Sequence, residues 1–229
     1  MIYEKLIYTN ERSENIEFST ESIYYCNVSK DVDGISGVTN ALYSTNSMGQ
    51  HGDTYVGQRI EARDIDITGH INTRDKQQAY ELRRRMLKIL NPELGGTLTY
   101  EYGSFKRIIS CRLHGKPEIA RKSVLQQFSI PLDCLNPFWR EENEQKEDIA
   151  KWVAAWHFPC VIEKDNPKSM IFGYRAESVI VNCYNEGDVS TGMRIRFTAL
   201  GTVTKPIILN VDTEEFINLN ITMQTGDVV

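Results

Sequence analysis

The chain has no apolar run of the roughly 20 residues needed to span a bilayer. Its N-terminus, MIYEKLIYTNERSENIEF, places charges among the first five residues and has no apolar h-region, so no signal peptide is expected. Both absences point to folding in a cytoplasm, where the sequons Asn27-Val28-Ser29 and Asn220-Ile221-Thr222 carry no meaning. Cysteines are few: Cys26, Cys111, Cys134, Cys160 and Cys183 are odd in number, widely spaced and never in a C-x-x-C pair. That argues against a disulfide framework or a zinc knuckle and for reduced, buried thiols. There is no excess of positive charge either. With 26 Lys and Arg against 31 Asp and Glu, the net charge of −5 gives no electrostatic reason to seek nucleic acid or a membrane, and neither is expected as a partner.

Catalytic signatures are missing as well. There is no G-x-S-x-G elbow beyond the superficial Gly34-Ile35-Ser36-Gly37, and neither H-E-x-x-H nor a P-loop occurs. Cys111 and His114, three apart on a strand, point to opposite faces. His157 and Cys160 have no second pair to complete a metal site. Asp31-Val32-Asp33-Gly34 opens like a calcium loop, but its twelfth position falls on Leu42 rather than a glutamate. No cofactor, no metal and no catalytic residue is expected, so the chain is not expected to be an enzyme.

What is present is mostly period-two alternation, the mark of half-buried strands. In RIEARDIDITGHI (59–71) the phase changes between Ala62 and Ile65, which a bulge near Arg63-Asp64 would reconcile. TLTYEYGSFKRIISCRL (97–113) predicts a hairpin turning at Gly103-Ser104, with Leu98, Tyr100 and Tyr102 on one face and Phe105, Ile109, Cys111 and Leu113 on the returning face. VLQQFSIPL (124–132) aligns Val124, Phe128, Ile130 and Leu132, and Pro131 predicts an edge position for that strand.

One stretch has helical period. TRDKQQAYELRRRMLKILNP carries Ala79, Leu82, Met86 and Ile89/Leu90 at spacings of three and four, predicting a helix over about 74–90, capped by Thr73 or Asp75 and stopped by Asn91-Pro92. Its other face holds Arg83, Arg84, Arg85 and Lys88, which form a solvated surface or dock an acidic protein partner. The polar, glycine-rich stretch 33–57 is long for a connection and reads as an extended arm or binding loop with a short strand near Thr39–Tyr43.

DCLNPFWREENEQKED (133–148) sets an apolar Pro137-Phe138-Trp139 against a run of acids, a boundary between domains. Residues 1–138 would form a mixed domain, 139–150 an acidic linker and 151–229 an all-β domain. Pro137 would stop the last strand while Phe138 and Trp139 cap the core, Trp139 over its own domain or into a neighbouring subunit. Evenly spaced strands in SVIVNCY, MRIRFTAL, VTKPIIL and EFINLNI predict an antiparallel sandwich. The closing TMQTGDVV reads as the start of a further strand, so that sandwich is expected to be cut short. In KWVAAWHF, Trp152 and Trp156 share one face under either period, a stripe that packs in the core or stacks on sugar rings.

Taken in order, RDIDITGHI, LRRRMLKILNPELGGTLTYEYGSFKRIISCRL, QQFSIPLDCLNPFW, WHFP and NCYNEGDVSTGMRIRF resemble the distal tail protein family of long, non-contractile-tailed bacteriophages and prophages. The resemblance implies a mainly β protein. An N-terminal antiparallel β-sandwich or split-barrel domain with one α-helix assembles as a hexameric ring, and a C-terminal galectin-like β-sandwich projects outward. It also implies the role of a structural hub of the tail tip or baseplate, joining the tail tube protein to the tail-tip protein and the receptor-binding protein. The protein would then be a virion component assembled in the bacterial host cytoplasm. The alternative is a carbohydrate-binding module for host cell-surface glycans, resting on Trp152 and Trp156.

Overall fold

The computed structural model describes residues 4–26, 32–120, 126–149 and 180–229, together with the backbone of two short strands at Trp152–Ala154 and Gly173–Arg175. The protein is mainly β with one helix, and it divides into two compact units, Met1–Gln145 and Lys146–Val229.

The first unit is built on β1 (Glu4–Asn10), β2 (Asn15–Ser19), β3 (Tyr25–Cys26), β4 (Val32–Asp33), β5 (Asn40–Thr45), β6 (Thr54–Ile60), β7 (Arg63–Ile71), α1 (Lys76–Ile89), β8 (Gly96–Tyr102), β9 (Phe105–Leu113), β10 (Glu118–Ile119) and β11 (Gln126–Cys134). The ladder runs β11-β9-β8-β1-β2-β3-β7 and then returns to β11, so seven strands close on themselves, with β10 and β4 attached. Closure leaves no free edge around the circuit. It also explains the period-two pattern, because every other side chain points into the barrel. Leu6, Tyr8, Ile16, Phe18, Ile65, Ile67, Ile71, Leu98, Ile109, Phe128, Ile130 and Leu132 are all buried there.

Three readings change in detail. The phase break at 61–62 is not a bulge: β6 and β7 belong to different sheets, and the chain leaves one and enters the other at Glu61-Ala62. The strand carrying Pro131 is not at an edge, since β11 pairs β7 over nine residues on one flank and meets β10 and β9 on the other. A strand residue's N and O point to the same flank, and the Pro131 carbonyl accepts from His114 N at 2.9 Å. The absent N–H therefore falls where the ladder passes from β10 to β9, the one place it interrupts nothing. The glycine-rich stretch, expected as an arm with one short strand, is a two-stranded ribbon of β5 and β6 with a register shift between Tyr43 and Ser44.

α1 packs against β2 and β7 through Ala79, Leu82, Met86 and Ile89. Of the two candidate caps, Asp75 accepts from Gln77 N and Gln78 N, while Thr73 Oγ1 accepts from Asp75 N at 3.2 Å and holds the cap in place. The other helix end is tied down by a residue the sequence patterns did not single out. Asn10, 4% exposed, donates through Nδ2 to Ile89 O, and its Oδ1 accepts from Arg12 N and Glu14 N. One side chain thus shapes the β1–β2 turn and satisfies a helix-terminal carbonyl.

In the second unit, the described strands are short: β12 (Trp152–Ala154) with β13 (Gly173–Arg175), β14 (Val203–Thr204) with β17 (Thr222–Met223), and β15 (Ile207–Leu209) with β16 (Phe216–Asn218). The closing Val228-Val229, read as the start of a further strand, pairs back instead: Thr198 bridges Val228, and Phe197 and Val229 exchange both backbone hydrogen bonds.

Candidate interaction surfaces

The Pro137-Phe138-Trp139 segment is held to the first unit by a partner that sequence reasoning missed. Arg63, at the start of β7, is only 6% exposed. Its Nε donates to Pro137 O at 2.8 Å, and its Nη1 donates to Gly34 O at 2.6 Å and Ile35 O at 2.7 Å. The guanidinium carbon lies 6.0 Å from the centre of the Trp139 ring. Trp139 Nε1 donates to Ile35 O at 3.2 Å, and its ring leans on Tyr100, 6.0 Å between centroids. Trp139 therefore covers its own domain. Gly34 is required where it stands: its φ is +81°, and a Cβ there would lie 1.8 Å from Asp64 O. Burial lowers the Arg63 pKa. The only hint in the sequence was the broken alternation that brought an arginine to an inward-facing position.

The first acids of the run lie along this unit while staying exposed to solvent. Arg140 exchanges both backbone hydrogen bonds with Ile108 on β9, Glu141 pairs with Arg107 at 2.6 Å, and Glu142 pairs with Lys106 at 2.8 Å. The basic residues on β9 account for this: complementary charges lay the first acids along the strand, and the division between units comes after Gln145.

The expected basic face of α1 is only partly available. Lys88 pairs with Glu14, and Arg83 sits 5.4 Å above the Tyr80 ring one turn earlier. Arg84 and Arg85 are exposed. With Tyr80 at 52% and Leu87 at 44% exposed, the outer stripe of the helix combines an aromatic, an aliphatic and basic side chains. The β5–β6 ribbon is more exposed still. Leu42 (67%) and Tyr55 (62%) lie on one face, since Leu42 and Ser44 alternate on β5 and Ser44 pairs with Tyr55. Val56, skipped by the register shift, and Met48 in the turn are open too. Trp156 lies outside the described residues, and of Trp152 only the backbone pairing with Arg175 is described.

On the outside of the barrel, His114 Nδ1 and Asp133 Oδ2 are 2.6 Å apart, with Asp64 and Asp66 nearby on β7. The hydrogen bond to Asp133 raises the His114 pKa above its ordinary 6.5. A raised folded-state value means that the pair's contribution is complete below the unfolded pKa and is lost as pH rises through the folded one. An NMR titration is expected to place the His114 midpoint above 6.5 and Asp133→Asn to bring it back down; an unmoved midpoint would break the assignment. Among the described residues no group of three or more His, Cys, Asp or Glu is placed to hold a metal.

The described residues of the first unit thus form a β-rich domain: a seven-stranded barrel with one packed helix and an exposed two-stranded ribbon. Residues 23–134 match the family model of the phage tail protein RIFT-related domain. No curated protein matches. Among solved structures, the chain is similar to the SPP1 Dit protein (gp 19.1), described as a paradigm of the hub adsorption apparatus in phages infecting Gram-positive bacteria. The two share 14% identity with a TM-score of 0.44, over 58% of this chain and 51% of that one. The chain thus matches about half the length of that relative.

Proposed function

We propose that this tail component is a non-enzymatic hub at the tail tip. Its first unit forms a closed hexameric ring, joining the tube to the tail-tip and receptor-binding proteins within the virion. The ribbon is the observation that carries the ring. A two-stranded hairpin is marginal in water by itself, yet β5 and β6 expose Leu42, Tyr55 and Val56 along it. Such a ribbon gains stability by laying this face on a different patch of the next subunit, the heterologous contact from which rings are built. The outer stripe of α1, with Tyr80, Arg84 and Leu87, suits an acidic and partly apolar surface on a tail partner.

Light scattering and negative-stain images of the purified chain test this. A particle of six-fold mass with a central opening is the expected result. A strict monomer at high protein concentration, with no ring in the images, overturns the reading.

A further inference from the structure

The barrel is closed unevenly. β11 pairs β7 along nine residues but reaches β9 through only two, Leu132 opposite Leu113 and Asp133 opposite Arg112. Continuing that register by one residue sets Cys134 opposite Cys111. Both face the interior, at 0% and 4% exposure, and both are free thiols. Directly opposed residues on antiparallel strands have Cα atoms about 4.5–5.5 Å apart, inside the roughly 4.4–6.8 Å range that a disulfide spans.

We propose that Cys111 and Cys134 are an oxidisable cross-strand pair that closes to a disulfide when the protein meets a low-molecular-weight disulfide, stapling the weak β9–β11 seam from inside. Cys134 attacks first. It is the last residue of β11 and is followed by Leu135, 77% exposed, so fraying of the strand end admits the oxidant.

The Cys134 thiolate forms a bond to one sulfur of oxidised glutathione and releases one glutathione thiolate, giving a mixed disulfide. Cys111 then loses its proton, bonds to the Cys134 sulfur and expels the second glutathione. Two protein thiols are oxidised and one glutathione disulfide is reduced. The chemistry does not depend on the tail assignment, but its timing does: a tail protein assembles in a reducing cytoplasm and works after release into oxidising surroundings.

The test uses the full chain with Cys26→Ser, Cys160→Ser and Cys183→Ser, leaving only the pair, incubated with oxidised glutathione. Both remaining thiols are expected to vanish from a thiol count in denaturant. Peptide mapping should join the Cys111 and Cys134 peptides, and the unfolding equilibrium constant in urea should fall about a hundredfold relative to the reduced protein. Two persistent thiols, a stable glutathione adduct or intermolecular dimers overturn the proposal. Should the triple variant not fold, differential alkylation of the unaltered chain before and after oxidation reads the same pair: joint protection of Cys111 and Cys134 supports it, and independent reactivity overturns it.

Discussion

Replacing Arg63 by alanine is expected to lower stability by about 2–5 kcal/mol, the cost of leaving buried main-chain carbonyls without their donor. The size follows from what is left behind. Two main-chain carbonyls, of Gly34 and Pro137, lose the donor they have in Arg63, at about 1–3 kcal/mol for each orphaned group, while Ile35 O keeps Trp139 Nε1. The Trp139 ring also loses the cation it faces. Arg63→Lys keeps the charge but not the planar fork that reaches carbonyls on two separate segments, so it should recover only part of the loss. Urea unfolding of the full chain measures both variants; a loss of less than about 1 kcal/mol for alanine would place Arg63 among ordinary surface substitutions and remove it as the bolt.

The second large effect is expected in assembly rather than in folding. Leu42→Asp with Tyr55→Asp should turn the proposed ring into monomers, because both side chains sit on one face of the ribbon and both are well exposed in the single chain. Burying such a side chain is worth about 1.5–3 kcal/mol, and a carboxylate in its place adds a desolvation cost at every interface. Subunit affinity should therefore weaken by at least about a hundredfold, at 1.4 kcal/mol per tenfold. Thermal unfolding of the isolated chain should barely move, since neither residue contributes to the barrel core. A ring that persists in the double variant on light scattering would show that the ribbon does not carry the contact.

The barrel strands and the helix were legible because their physics is local. Ile65, Ile67 and Ile71 alternate in a way only a half-buried strand explains, and Ala79, Leu82, Met86 and Ile89 repeat in a way only a helix does. The edge prediction for Pro131 failed because one missing N–H rules out one hydrogen bond and not a position in the sheet; whether that bond was needed depends on where β10 ends and β9 begins. The acidic run misled for a similar reason. Glu141 and Glu142 look like a solvated spacer until Lys106 and Arg107, more than thirty residues earlier, lie alongside them.

By itself, the sequence determined the barrel strands of the first unit and where its helix runs, since alternation, helical period and turn residues act between near neighbours; it did not determine the second unit, where SVIVNCY and MRIRFTAL, read as strands, form none over residues 180–197. Only the tertiary structure decided what those pieces hold. It carried Arg63 to the carbonyls of Gly34 and Pro137, Asn10 to the end of α1 and Cys134 to Cys111, and it left the β5–β6 ribbon without cover. These are contacts across tens of residues, set by barrel closure and register, and no local pattern encodes which two distant positions closure will bring face to face.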